Sequence, residues 1–224
     1  MVEATNLIGM NVLVVGGHGQ IALRTLRLLA GRGDTARGTI RDPAQAGDLE
    51  EAGAEAVVCD LEAGDDLTAA VRGSDAVIFA AGAGPGSGAE RKRTVDFGGA
   101  VALIDACRET GVSRYLIVSA IGADKPDTWS DAMRPYYEAK RAADLPLADS
   151  GLEYTIVRPG GLTDDPGSGL VVVGTPLQET GTVTRDDVAA TLVGVLDRPA
   201  TAGIAFDLLG GETPIDAALD SLSR

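Results

Sequence analysis

The chain has 224 residues, 45% of them apolar and 23% charged, a length and balance that suit one soluble α/β domain with a sizeable core. Its net charge of −14 opposes nucleic acid, whose phosphates it would repel. A lone histidine, His18, and two isolated cysteines, Cys59 and Cys107, leave no basis for a multi-histidine metal centre, a Ser-His-Asp hydrolase or a disulfide framework.

The N-terminus shows neither the basic stretch nor the cleavage site of a signal peptide, and no apolar run reaches the roughly 20 residues of a membrane span. A cytoplasmic protein is the expectation. Short apolar, β-branched runs alternate with helix-like segments, the signature of βαβ units. Strands are expected at 11–15, 36–40, 55–59, 76–80, 115–119 and 154–158. Helices are expected at 21–30, 92–110 and 131–150. In the last quarter, Thr184-Arg185-Asp186-Asp187 has the form of a capping box before a helix. A strand follows at 204–208, and Thr213-Pro214 opens a short final helix with proline at its first position. The nearly continuous apolar strands call for cover on both faces. The fold class is therefore α/β: a single doubly wound Rossmann domain spanning 1–224, with a mostly parallel sheet and a small C-terminal extension.

Between the first strand and the first helix lies Gly16-Gly17-His18-Gly19-Gln20-Ile21-Ala22. A pyrophosphate needs backbone N–H donors at a helix N-terminus with nothing bulky in the way. Gly16 permits the turn, Gly19 lets the backbone approach the phosphates, and Ala22 keeps helix and strand close. His18 reads as a loop residue near those phosphates, with Gln20 and Ile21 opening the helix behind it. No Lys-Ser/Thr follows, which excludes a nucleotide triphosphatase loop. At the end of the second strand stands Arg41, suited to a ribose 2′-phosphate where an acid would select NAD. NADP(H) is thus the preferred cofactor, with NAD(H) possible. Asp42 is placed to cap the helix that Pro43 begins. Asp60-Leu61 after the third strand, and Ala80-Ala81-Gly82 after the fourth, continue the line of the cofactor crevice, with 84–88 beside it.

Tyr136 and Lys140 are four residues apart on an expected helix and so share a face. An ammonium beside a phenol lowers its pKa from about 10, and such a tyrosine donates a proton to a carbonyl oxygen as hydride reaches carbon. Tyr137, three residues from Lys140, is the other candidate.

These segments together resemble the atypical short-chain dehydrogenase/reductases, specifically the NAD(P)H-binding, NmrA-like branch. The matching runs are VVGGHGQIA, IRD, CDL, FAAGA, VSAIGA, YYEAK and YTIVRPGGL, in family order, with RDDVA and GGETPI extending the likeness. The resemblance implies that Tyr136 is the proton donor, that Lys140 holds the nicotinamide ribose and that Pro159, Gly160 and Gly161 lie against the nicotinamide. Ser119 is the nearest match to the carbonyl-orienting serine, although the family hydroxyl usually falls slightly later, near Ala120 or Ile121. The large C-terminal segment of sugar-nucleotide epimerases is not matched. The expected function is an NADP(H)-dependent oxidoreductase acting on a small carbonyl, quinone or similar substrate, as a monomer or homodimer. The alternative is an NADP(H)-binding redox sensor without turnover.

Overall fold

The computed structural model describes residues 9–82, 92–177 and 179–222. The expected stretch at 84–88 lies outside the described residues. Six strands form the parallel body of the sheet: β1 (Asn11–Val15), β2 (Thr35–Ile40), β3 (Glu55–Val58), β4 (Ala76–Phe79), β5 (Arg114–Val118) and β6 (Glu153–Pro159). Their spatial order is β3-β2-β1-β4-β5-β6, with parallel registers such as Val14 opposite Ile78. The order reverses between β1 and β4, and ligands of such sheets bind at that reversal, beyond the carboxyl ends of the strands.

Strand pleating explains why the central strands are apolar throughout. Val12 and Val14 of β1 face one core with Leu26 and Leu29 of helix α1 (Gln20–Gly31). Leu13 and Val15 face the other, with Phe79, Leu103 and Tyr115. Both sets are fully or almost fully buried, and each such side chain contributes roughly 1.5–3 kcal/mol through the water it leaves. The helices are α1, α2 (Ala46–Glu51), α3 (Leu67–Val71), α4 (Gly99–Thr110), α5 (Arg134–Ala148), α6 (Arg185–Leu196) and α7 (Ile215–Ser221). Helix α1 packs on α6 and α4 on α5. Gly111, at φ +78°, ends α4 in the left-handed conformation that glycine adopts at no steric cost.

The expected elements at 11–15, 36–40, 55–59, 76–80, 115–119 and 154–158 all appear, shifted by no more than one residue at either end. Thr184 does cap α6, its side chain accepting from Asp187 N–H. Asp42 caps the turn at Pro43–Gln45, accepting from Ala44 N–H. The long helix expected at 92–110 is divided: Lys92–Gly98 winds as a π-helix before α4. Wider turns of this kind occur often at functional sites.

The C-terminal quarter holds more sheet than its sequence suggested. Strand β10 (Ile204–Gly210) runs parallel to β6, then β8 (Leu170–Gly174) and β11 (Thr213–Pro214) extend the sheet antiparallel. Short strands β7 (Gly161–Thr163) and β9 (Thr182–Thr184) pair apart from it. Pro214 is therefore the last residue of an edge strand and the cap before α7, not the first helical residue. A proline costs little there because an edge strand has one side that need not donate. No helix among the described residues is long and apolar enough to cross a membrane.

Candidate functional site

The glycine loop rises from β1 at the sheet's reversal point. Gly16 sits at φ +82°, and a methyl group built on it would stand 2.6 Å from Ala81 Cα; one on Gly17 would stand 2.9 Å from Gly38 Cα. Only glycine lets the loop lie this close to β2 and to the end of β4. Thr39 of β2 anchors it: its hydroxyl accepts from Gly16 N–H at 3.0 Å and its carbonyl from Gly17 N–H at 2.8 Å. Gly19 is the N-cap of α1 and brings no side-chain acceptor to the helix terminus. The first-turn N–H groups are thus left for an anion, with the helix dipole favouring it.

Above this loop opens a cleft of about 320 Å³, within the range of small-molecule sites. Its walls include the expected Gly16, His18, Gly19, Arg41, Asp60, Leu61, Ala80, Ala81 and Gly82. Thr39, Ile40, Gln45, Cys59, Glu62 and Val95 also line it and were not foreseen. Ala22 is fully buried behind the loop, as close strand–helix packing requires. His18 does not hang free over the cleft. Its Nε2 pairs with Asp48 of α2 at 2.5 Å and its Nδ1 lies 3.1 Å from Gln45 Nε2, so the ring tethers the loop to the segment that follows β2. Cys59 and Cys107 are buried free thiols; burial and neighbouring Asp65, Asp66 and Asp60 raise the pKa of Cys59.

Gln20 and Ile21 lie in the first turn of α1 but not on the cleft wall. Tyr136, Lys140, Ser119, Pro159, Gly160 and Gly161 also lie off that wall. Gly82 joins the two regions. It lines the cleft, and a methyl group on it would stand 3.4 Å from Asp96 Oδ1 and 4.0 Å from Lys140 Nζ. Lys140 and Asp96 form a buried ion pair at 3.2 Å, and Lys140 Nζ also donates to Val118 O at 3.1 Å.

Tyr136 and Lys140 do share α5, one turn apart. The phenol is half-buried, and burial lifts its pKa above the ordinary value; Lys140 pulls it down, while Asp96 and Tyr137 push it up. The expected lowering by Lys140 is therefore present but outweighed. Tyr137 instead stacks on Trp129, their rings 5.7 Å apart, and meets Tyr136 edge-on at 5.3 Å.

Ser119 is 2% exposed, and its hydroxyl donates to Asp144 Oδ2 at 2.8 Å. The β5–β6 ladder continues through Ser119 N–H to Val157 O, and the side chain turns inward against α5. Asp144 also approaches Arg158 Nε at 3.4 Å. Burial raises its pKa against the pull of Ser119 and Arg158. Gly160 is demanded by packing: a methyl group there would collide with the Leu209 side chain and with Gly181 O. Among the described residues, no group of three or more His, Cys, Asp or Glu is placed to hold a metal ion.

Asp96, Glu62 and Thr39 escaped the sequence reading. Thr39 could have been found as the polar residue interrupting an apolar strand end. Nothing local marks Asp96 or Glu62, because each acts on a residue brought near only by the fold.

A glycine loop at the reversal of a doubly wound sheet, an uncapped helix terminus and a cleft along successive strand ends define a dinucleotide-binding protein. The chain belongs to the NAD(P)H-binding family, whose model matches residues 16–199. It is 43% identical to a Bacillus subtilis protein described as an uncharacterized sugar epimerase, over 95% of this chain and 100% of that one. It is similar to a solved Bacillus halodurans structure described as a putative NAD-dependent epimerase/dehydratase, with a TM-score of 0.91 and 39% identity over 95% of this chain and 100% of that one. The Lactococcus lactis oxidoreductase ylbE is similar at a TM-score of 0.82 and 28% identity, over 95% and 96% of the two chains.

Proposed function

We propose that the protein is an NADP(H)-dependent oxidoreductase that transfers hydride to or from a small carbonyl, quinone or similar substrate in the cytoplasm. The observation that carries this reading is the approach of Lys140, one turn along α5 from Tyr136, to Gly82 on the cleft wall. The residues fit the cofactor: backbone N–H groups of the glycine loop and α1 would hold the pyrophosphate, Arg41 the adenosine ribose phosphate, and Ala80 to Gly82 the passage between. Lys140 would hold the nicotinamide ribose, with Pro159 to Gly161 beside the ring.

The nicotinamide supplies or accepts the hydride when bound. Tyr136 supplies the matching proton. In the reducing direction its O–H bond breaks, a new O–H bond forms on the substrate oxygen, and the electron pair stays on the phenolate. Lys140 stabilises that phenolate until a solvent proton restores it. A raised phenol pKa suits a donor that must keep its proton until the hydride arrives.

A sensor that binds NADP(H) without turnover is the second reading. The commitment of the Ser119 hydroxyl to Asp144 favours it, since the serine that best matches the carbonyl-orienting position is then turned away from a substrate. The epimerase descriptions of the Bacillus relatives point to a third outcome, in which hydride is removed and returned with no net consumption of cofactor. NADPH consumption measured across a panel of carbonyls and quinones separates the oxidoreductase from the other two readings. Turnover of at least one class by the parent, lost in Tyr136→Phe, supports the proposal. A parent that binds NADPH tightly and reduces nothing overturns it.

A further inference from the structure

Strands β2 and β3 are parallel neighbours with Ile40 opposite Val58, and the pairing runs on as Cys59 N–H donates to Ile40 O at 2.8 Å. The residues that follow the two strands therefore rise side by side at one rim of the cleft. Arg41 leaves β2 here. From β3 comes an acidic turn held by its own carboxylates: Asp65 accepts from Asp60 N–H at 2.8 Å, and Asp60 from Glu62 N–H at 2.9 Å. This turn sets Glu62 Oε2 3.4 Å from Arg41 Nη1. Both residues line the cleft.

We propose that Glu62 is a specificity-determining residue for the cofactor, its carboxylate taking the Arg41 guanidinium that a ribose 2′-phosphate would otherwise receive in full. The inference rests on the cofactor-binding reading of Arg41 given above. A 2′-phosphate arriving at Arg41 must share or displace this carboxylate and faces its negative charge at close range. A free 2′-hydroxyl meets no such repulsion, and the Arg41–Glu62 pair stays intact beneath it. The two residues thus act in opposite senses: Arg41 draws the chain towards NADP(H), and Glu62 moderates that choice. The pair is partly open to solvent, with side chains 53% and 36% exposed, so the effect is moderate and screened by salt.

The adenosine halves of the two cofactors, 2′,5′-ADP and 5′-AMP, are the probes, titrated against the parent, Glu62→Gln, Arg41→Ala and the double variant. Glu62→Gln should tighten 2′,5′-ADP by about three- to tenfold and leave 5′-AMP unchanged, and the gain should shrink as salt is raised. In the Arg41→Ala background the same substitution should give a smaller gain, because its main route of action is gone. Unchanged affinity for 2′,5′-ADP in Glu62→Gln, or equal tightening of both probes, overturns the inference. Failure of the underlying reading looks different: Arg41→Ala then binds both probes as the parent does, whatever Glu62→Gln shows. Thermal melts of each variant confirm that these rim substitutions leave the fold in place.

Discussion

Lys140 on α5 and Asp96 on the π-helical segment before α4 meet at 3.2 Å, with both side chains at or below 10% exposure. Two elements far apart in sequence are thus joined by one buried charge pair at the edge of the cofactor cleft. Removing one member of a buried pair takes the opposite charge away from the other, at a cost on the order of 3–5 kcal/mol. Asp96→Asn and Lys140→Met should each lower stability by roughly that amount, and the double variant by clearly less than their sum. Denaturant unfolding of the four proteins measures the coupling. Additivity to within about 0.5 kcal/mol would show that the pair carries no joint energy.

The state of the Tyr136 phenol sets a pH dependence. Burial holds its pKa above the ordinary value despite Lys140, so the donor form persists at neutral and mildly alkaline pH. Activity in the reducing direction needs that proton, so it is lost only as pH rises through the raised pKa. The rate constant kcat/KM for reduction should stay level through neutral and mildly alkaline pH. An alkaline fall centred below about pH 9 contradicts the assignment.

In the proposed reaction, the Tyr136 hydroxyl has a chemical task and the adjacent Tyr137 hydroxyl does not. Tyr136→Phe should lower turnover by roughly 10²-fold with cofactor affinity near the parent value. Tyr137→Phe keeps the stack on Trp129 and should leave the rate nearly unchanged. A dead Tyr137→Phe beside an active Tyr136→Phe would reverse their roles.

If the glycine loop holds the pyrophosphate through its backbone, a side chain there should act by steric exclusion. A methyl on Gly19 already stands 3.1 Å from Gly16 O, and valine adds bulk where the pyrophosphate must approach. Gly19→Val should abolish the rise in melting temperature that NADPH gives the parent. A retained rise would show that the phosphates bind elsewhere.

Burial pushes the Cys107 thiol up to about 12, and Cys59 is also raised. Since the thiolate is the reactive form, iodoacetamide at about pH 8 should leave Cys107 unmodified in the folded protein and label it after unfolding. Mass spectrometry of the two samples checks this; rapid native labelling of Cys107 would mean that its surroundings open readily.

Much of this was legible in the residues because the decisive signals are local. The apolar runs of β1, β4 and β5 declare a sheet buried on both sides, and the glycine loop declares its purpose through what it lacks. Arg41 and Asp42 could be placed because strand ends are easy to find. The C-terminal sheet was not legible: β8 and β11 are short and antiparallel, and β11 pairs across a long excursion of the chain. Proline in Thr213-Pro214 suits an edge strand as well as a helix start, and tertiary pairing decided between them. Within the site, spacing along α5 brought Tyr136 and Lys140 together but said nothing of Asp96. Ser119 sits where a strand end should offer a hydroxyl, yet Asp144, one turn beyond Lys140, turns it inward.

In the proposed reaction, hydride leaves the nicotinamide for a substrate while Tyr136 provides the proton. NADPH deuterated at the transferable position of the nicotinamide, incubated with a substrate found in the panel, tests it most directly by mass spectrometry of the product. The expected result is one deuterium per product molecule, an equal yield of NADP⁺, and loss of both in Tyr136→Phe. Product formed with no deuterium and no net NADPH consumption, at the same rate in Tyr136→Phe, would contradict it.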